Sequence, residues 1–229
     1  MIIAAAAPAD IVATSIVLVG QIDPTILQPS SLLKSGALTE ADISELQYDI
    51  LAPEVCVARL PWARAVVERD KLIFTTTLQS PAGEPVRDLL LAVIELLPDT
   101  SRRFTALGIN REQHFGSPSE EAWHSVGHKL VPKDAFWSKL LNKPGTRSIS
   151  VLGQRDDQLE GNVTVRIEPS AEINPGIYVH VNDHYITSKA ALEEDPEHLL
   201  ANLTEGWAAS MRRSDNIIAA VKELADEFR

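Results

Sequence analysis

Apolar and polar positions alternate with a period of two in short runs along most of the chain, which predicts β-strands. Turn residues bound these runs, as at Asp23-Pro24 and Asn174-Pro175-Gly176. The polar cluster at residues 68–71 predicts a hairpin. The predicted strands cover residues 15–22, 55–60, 63–67, 71–78, 103–114, 148–152, 163–167 and 177–186.

Apolar residues at helical spacing predict several helices between the strands. The clearest covers residues 85–97, where one apolar stripe is expected to pack on the sheet. Thr39 is a candidate N-cap for an early helix, and Ser214 is a candidate cap between two helices at the end of the chain. The predicted helices cover residues 29–36, 39–47, 85–97, 118–129, 134–141, 198–213 and 216–228.

This order of elements predicts an α+β fold, with a largely antiparallel sheet and helices packed on one face. It reads β-α-β-β-α in residues 13–98, and residues 99–229 have a similar order, which is compatible with an internal duplication. Gly20 and Gly108 stand at similar places in the strands that open the halves. We expect one globular unit preceded by a disordered leader of residues 1–12.

Composition and charge narrow the class of protein. Hydrophobic residues make up 45% and charged residues 23%, values typical of a globular domain. The net charge of −11 argues against nucleic-acid binding, because phosphates repel an acidic chain. The apolar run from Ile11 to Gly20 is too short for a membrane span, which needs ~20 residues. Cys56 is the single cysteine, which favours a cytoplasmic protein in which this side chain packs in the core.

Two pairs of histidines have spacings that could serve a metal ion. His124 and His128 lie one turn apart on a predicted helix, although no zincin-type Glu stands between them. His180 and His184 lie on one face of a predicted strand. Convergence of the four with Asp183 or Glu160 would make a divalent-metal hydrolase site. The alternatives are a solvated helix face and a polar strand face.

A second candidate site lies on the long strand of residues 103–114. Asn110, Arg111 and His114 are polar residues that follow its apolar part, and the Arg111 guanidinium suits a carboxylate or phosphate ligand. The alternative is a structural arginine that ties this strand to an acidic helix.

The layout also resembles a known group of proteins. The run VVERDKLIFTT, an amphipathic helix and then FTALGINREQHF, with Gly108-Ile109-Asn110-Arg111, are similar to a sporadically distributed, uncharacterised bacterial family. That family has a Gly-aromatic-Asn-Arg type strand after such a helix. The resemblance implies a bacterial cytosolic protein in an accessory system, and it brings no activity, cofactor or site residue with it.

The sequence contains no glycine-rich phosphate loop, CxxC pair or GxSxG elbow. We therefore expect a non-catalytic binding or assembly protein that acts through a protein partner or as a homo-oligomer, without a cofactor and away from membranes. The alternative hypothesis is a metal-dependent hydrolase that uses the paired histidines.

Overall fold

The computed structural model describes residues 10–36, 38–79, 83–134, 136–155, 157, 159–187, 193 and 198–227. The strands are β1 (Ile11–Gly20), β2 (Gln47–Leu51), β3 (Val55–Arg59), β4 (Arg64–Glu68), β5 (Lys71–Thr76), β6 (Phe104–Gly116), β7 (Ile149–Gln154), β8 (Gly161–Pro169) and β9 (Gly176–Ile186). The α-helices are α1 (Pro29–Ser35), α2 (Glu40–Glu45), α3 (Glu84–Ile94), α4 (Glu120–Leu130), α5 (His198–Thr204) and α6 (Trp207–Asp226). This confirms the predicted α+β class.

Within the described residues, nine strands form one open antiparallel sheet in the order β2-β3-β4-β5-β1-β6-β9-β8-β7. β1 and β6 pair with each other at the centre, and each also pairs with the last strand of its own half, β5 or β9. From there each half continues outward as a meander of adjacent strands. The first half therefore ends at the edge strand β2 and the second at the edge strand β7.

The described helices pack on one face of this sheet, as predicted. Alternation in β1 buries Ile16 and Leu18 on that side, in one cluster with the apolar face of α3. α6 packs on β6 and β9, where Val181 faces it. We call this side the helix face and the opposite side the open face. None of the described helices combines the length and apolar character needed to cross a bilayer.

Two apolar clusters lie between the helices and the helix face. Met211 of α6 and Tyr185 of β9 belong to the first cluster, and Ile218 of α6 and Val181 of β9 belong to the second. Buried polar residues lie between the clusters, and we call them the polar layer: Thr14, Arg111, Asp183, Ser210 and Ser214. Burying a polar group costs free energy unless the group is paired, so the stability of this layer depends on the contacts that its residues make.

Cys56 lies in the first cluster and is fully buried, which confirms its predicted packing role. Burial raises the pKa of its thiol. Because the thiolate is the reactive form, this environment disfavours nucleophilic chemistry at Cys56.

The C-terminal helices divide at a different place from the one predicted. Ser214 does not cap a helix, because it is buried inside α6. The break lies at Glu205 and Gly206, where a Cβ on the glycine would come within 3.0 Å of the Asn202 carbonyl oxygen. Phe228, the predicted end of the last helix, lies outside the described residues.

The prediction of a helix at residues 134–141 is also wrong. The described part of this segment contains only a short 3-10 turn, Trp137–Lys139. Its apolar side chains, among them Phe136 and Leu140, are exposed. A short helix depends on burying its apolar face, and these side chains remain largely exposed.

Other predictions differ from the structure at the ends of elements. The early helix stops at Glu45, and β2 follows it as a strand that the pattern did not reveal. Of the predicted leader of residues 1–12, residues 1–9 lie outside the described residues, whereas Ile11 and Val12 already belong to β1.

The glycines that suggested a duplication are not equivalent in the fold. A Cβ on Gly20 would lie 2.7 Å from the Arg103 carbonyl oxygen and from the buried Phe104 ring. A Cβ on Gly108 would instead face Asn182 on the open face. The two halves therefore share their strand order without sharing this glycine.

Candidate functional site

The structure does not bring Asn110, Arg111 and His114 together as one site. β6 extends to Gly116, so Asn110 and Arg111 lie in the middle of a central strand and not at its end. Because successive side chains of a strand point to opposite faces, Asn110 and His114 lie on the open face and Arg111 lies on the helix face.

Arg111 is buried and engaged within the polar layer. Its Nε donates a hydrogen bond to Asp215 Oδ1 at 3.1 Å, and its Nη1 donates one to Thr14 Oγ1 at 2.8 Å. Asp215 lies on α6, so Arg111 ties β6 to this helix. These contacts match the structural alternative for Arg111.

On the open face, His114 and Asn110 make local contacts. The His114 ring lies 4.5 Å from the Tyr178 ring, and its Nδ1 is 2.9 Å from Ser170 Oγ. The Asn110 side-chain amide donates a long hydrogen bond of 3.5 Å to the Ser15 carbonyl. Both side chains therefore contribute to a polar sheet surface.

His180 and His184 lie on the same open face, with Tyr178 and Asn182, as predicted for a polar strand face. Residues four apart along a strand are separated by about 13 Å, so the two imidazoles cannot bind one ion. Burial lowers the pKa of both histidines. The Tyr178 hydroxyl donates a hydrogen bond to Glu112 at 3.0 Å, and burial raises the pKa of Tyr178 to about 12.

His124 and His128 lie on α4, on the opposite side of the sheet from His180 and His184. They line an open hollow of about 640 Å³. His128 Nε2 is 3.1 Å from a carboxylate oxygen of Asp134. The four histidines thus form two separate pairs.

The acidic residues that were candidates to complete a metal site do not join the histidines. Asp183 lies on the helix face, where arginines bind it, and Glu160 directly precedes β8. Across the described ranges of the chain, no group of three or more His, Cys, Asp or Glu side chains is placed to hold a metal ion.

A buried ion cluster that includes Asp183 of the polar layer was not predicted from the sequence. Asp183 is fully buried and binds Arg155, whose side chain is 1% exposed, and Arg213 of α6. Asp157 binds the same two arginines, at 2.9 Å to Arg155 Nε and 3.2 Å to Arg213 Nη2. The Arg155 guanidinium also stacks on the Tyr185 ring at 3.7 Å. The cluster joins the segment after β7 to β9 and α6.

One sequence signal could have revealed this cluster. Asp183 stands at an inward position of β9, between Val181 and Tyr185, where a lone acid needs a cationic partner. The identity of that partner depends on tertiary contacts, since Arg155 and Arg213 are both far from Asp183 along the chain.

Within the described part of the chain, the edge strand β7 carries no charge, proline or bulge that would protect it against pairing with another strand. Its sequence, ISVLGQ, contains no charged residue and no proline, and it pairs with β8 in unbroken register over all six residues. Val151 and Leu152 point to opposite faces and are 55% and 69% exposed. Proteins usually protect such edges with charges, prolines or bulges, because unpaired backbone groups there attract other strands.

The opposite edge strand, β2, has two of these protections, an irregular register and a charged residue. Its register with β3 shifts between Tyr48 and Ile50, which marks a bulge or irregularity. Asp49 lies at this irregularity and binds Arg59 at 2.7 Å. The two edges of the sheet therefore differ in their ability to accept a further strand.

A basic and apolar surface adjoins the start of β7. We call residues 136–148 the Trp137 segment. Its exposed apolar side chains are Phe136, Trp137, Leu140 and Leu141. The exposed Lys139, Lys143 and Arg147 have no ion-pair partner among the residues that the structure describes. Exposed apolar side chains with a charged surround are typical of interaction surfaces.

In comparisons with known proteins, no family model matches this chain and no curated protein is significantly similar to it.

Proposed function

We propose that this chain is a non-catalytic binding or assembly protein, and that it binds a protein partner by accepting an extended segment of that partner at the edge strand β7. The unprotected edge of β7 carries this proposal. The resemblance of the chain layout to a bacterial family supports a role in a bacterial accessory system.

A comparison of the strand order in the two halves favours a further strand beside β7. Counting outward from the centre, the first half runs β1-β5-β4-β3-β2 and the second runs β6-β9-β8-β7. β7 thus occupies the place that β3 occupies in the first half, and β3 is covered by β2. A partner strand on β7 would take the place that corresponds to β2.

Pairing with β7 would by itself provide both affinity for the partner segment and a defined orientation of it. The backbone groups along the outer side of β7 would pair with the added segment, and each such hydrogen bond contributes about 0.5–1.5 kcal/mol net. Val151 and Leu152 would contact alternate side chains of the segment on the two faces of the sheet.

The test compares the two edges of the same sheet. In one variant Val151 and Leu152 are both changed to Asp, and in the matched control Ile50 and Leu51 of β2 are both changed to Asp. All four residues are exposed, so each variant is expected to fold with a stability close to that of the wild type. Proteins captured by the wild type from its native cells are then purified and reconstituted with each variant.

We expect the purified partner to bind the β2 variant and the wild type with similar affinity, and to lose binding to the β7 variant. Amide hydrogen exchange in the complex should slow in β7. Equal loss in both variants, or protection only at other elements, would contradict the proposal. A homo-oligomer in sedimentation equilibrium that the β7 substitutions dissociate would identify the partner as a second copy.

A further inference from the structure

A groove of about 370 Å³ begins where β7 begins. It is lined by Ser148, directly before the strand, and by Val131, Trp137 and Leu141. Lys133 lies in its wall and also lines the neighbouring hollow along α4. A segment that pairs with β7 and continues past Ser148 therefore enters a groove that has apolar walls and two cationic side chains, Lys133 and Arg147.

Lys133 is unusual among the lysines that the structure describes, because the residue is only 9% exposed. Among the described residues its ammonium donates one hydrogen bond, to the Val131 carbonyl at 3.2 Å. An ammonium has three donors, so two remain for a ligand. Burial lowers the pKa of Lys133, and Asp134 opposes this effect. An anion in the groove would compensate the charge that burial penalises.

The charge around the groove contrasts with that of the whole chain. Residues 129–147 contain five basic residues and one acidic residue, whereas the net charge of the protein is −11. A local basic region on an acidic protein attracts an acidic partner segment. The groove therefore favours a partner segment that is both apolar and acidic.

The direction of the added segment follows from the strand order. β2 runs antiparallel to β3, so the corresponding strand on β7 would run antiparallel to β7. Such a segment starts beside Gln154 and ends beside Ile149. The residues that reach the groove are those that follow the paired stretch.

We infer that the groove around Lys133 binds the side-chain carboxylate of a Glu or Asp that follows the β7-paired stretch of an extended partner segment. The same segment places an apolar side chain against Trp137 and Leu141. This inference rests on the proposed function and adds the chemistry of the partner to it.

Defined peptides test the inference without a known partner. The probe is a fluorescein-labelled, C-terminally amidated peptide of alternating valine and threonine, flanked by prolines that prevent self-association. One form carries Glu at the C-terminal end, a second carries Gln there, and a third carries Glu at the N-terminal end. Binding is measured by fluorescence anisotropy.

For the wild type we expect the C-terminal Glu peptide to bind about tenfold more tightly than the other two, a difference of about 1.4 kcal/mol. Lys133→Gln should remove most of this preference, because only Arg147 then remains as a cation in the groove wall, and Lys133→Arg should keep more of it. Lys139→Gln is the matched control, because it removes the same charge from an exposed position nearby and should keep most of the preference. Thermal melting checks that each variant is folded, and the comparison of peptides on the wild type requires no variant.

The outcomes separate the inference from the proposed function. Equal binding of the Glu and Gln peptides, with loss of both when Val151 and Leu152 become Asp, would overturn the carboxylate site and leave strand addition intact. Peptide binding that is unchanged by the β7 substitutions would overturn both the carboxylate site and strand addition. Vesicles of phosphatidylserine and phosphatidylcholine form a further arm. If they bind the protein through Lys133 and Trp137 while no peptide binds at ~1 mM, this surface contacts an anionic membrane and the inference is wrong.

Discussion

Asp183→Asn is expected to destabilise the fold because it leaves a buried positive charge without its partner. The carboxylate of Asp183 is fully buried and binds both Arg155 and Arg213. The asparagine has nearly the same shape but no charge. Arg155 would then remain buried with Asp157 as its ion-pair partner, so the cluster would carry an uncompensated positive charge.

The magnitude follows from the burial of the cluster. Removing one partner of a buried ion pair costs about 3–5 kcal/mol, because the other charge stays out of water without compensation. Asp157 remains beside both arginines and is partly exposed, so we expect the lower end, about 3 kcal/mol. For a chain of this length that corresponds to a decrease in melting temperature of ~6–12 °C.

Urea denaturation followed by far-UV circular dichroism measures this cost as a change in the free energy of unfolding at constant m-value. Asp49→Asn is the matched control, since it makes the same chemical change in an exposed ion pair with Arg59 and should cost no more than about 1 kcal/mol. Combining Asp183→Asn with Arg155→Met should recover part of the loss, because the unpaired charge is removed. If Asp183→Asn costs no more than Asp49→Asn, the reasoning about the buried cluster is refuted.

Three further predictions follow from the same helix layer. Arg111→Ala should destabilise the protein by about 1–3 kcal/mol in urea denaturation, because the buried hydroxyl of Thr14 loses its partner, and an unchanged midpoint would contradict this structural role. Ile218→Ala should cost about 2–5 kcal/mol, and Leu224→Ala less because Leu224 is only half-buried; equal costs would show that α6 packs differently. The hydrogen bond and charge of Arg155 lower the pKa of Asp157 from 3.8 to about 2, so its ionised form stabilises the fold above pH 4, and this contribution is lost as the pH falls toward 2. The melting temperatures of the wild type and of Asp157→Asn should therefore converge as the pH falls from 4 to 2. A constant difference between the two melting temperatures over this pH range would contradict the stabilising role of ionised Asp157.

The elements that the sequence predicted well are those whose burial is one-sided. β1 and α3 each bury one face against the other, and their periodicities of two and 3.6 are visible without any tertiary information. The open face of β9 was also predicted correctly, because Tyr178, His180 and Asn182 alternate with the apolar residues Ile177, Val179 and Val181. In these elements, local pattern and tertiary environment agree.

The elements that were missed owe their structure to contacts that are distant in sequence. β2 buries almost nothing of its own and is a strand because β3 pairs with it. Arg111 has the appearance of a ligand residue in the sequence, since only the fold places Asp215 and Thr14 around it. The same limit applies to Asp183, whose inward position was visible but whose arginines were not.

The buried cluster and the β7 edge are physically connected, because Arg155 is the residue that follows β7. Its guanidinium binds Asp183 on the helix face, and Asp183 also binds Arg213 of α6. The C-terminal end of β7 is therefore held against β9 and α6. An edge strand that is already ordered loses little conformational entropy when another strand pairs with it, and this preorganisation favours binding. The buried cluster therefore holds the C-terminal end of β7, the edge strand at which we propose that a partner segment pairs.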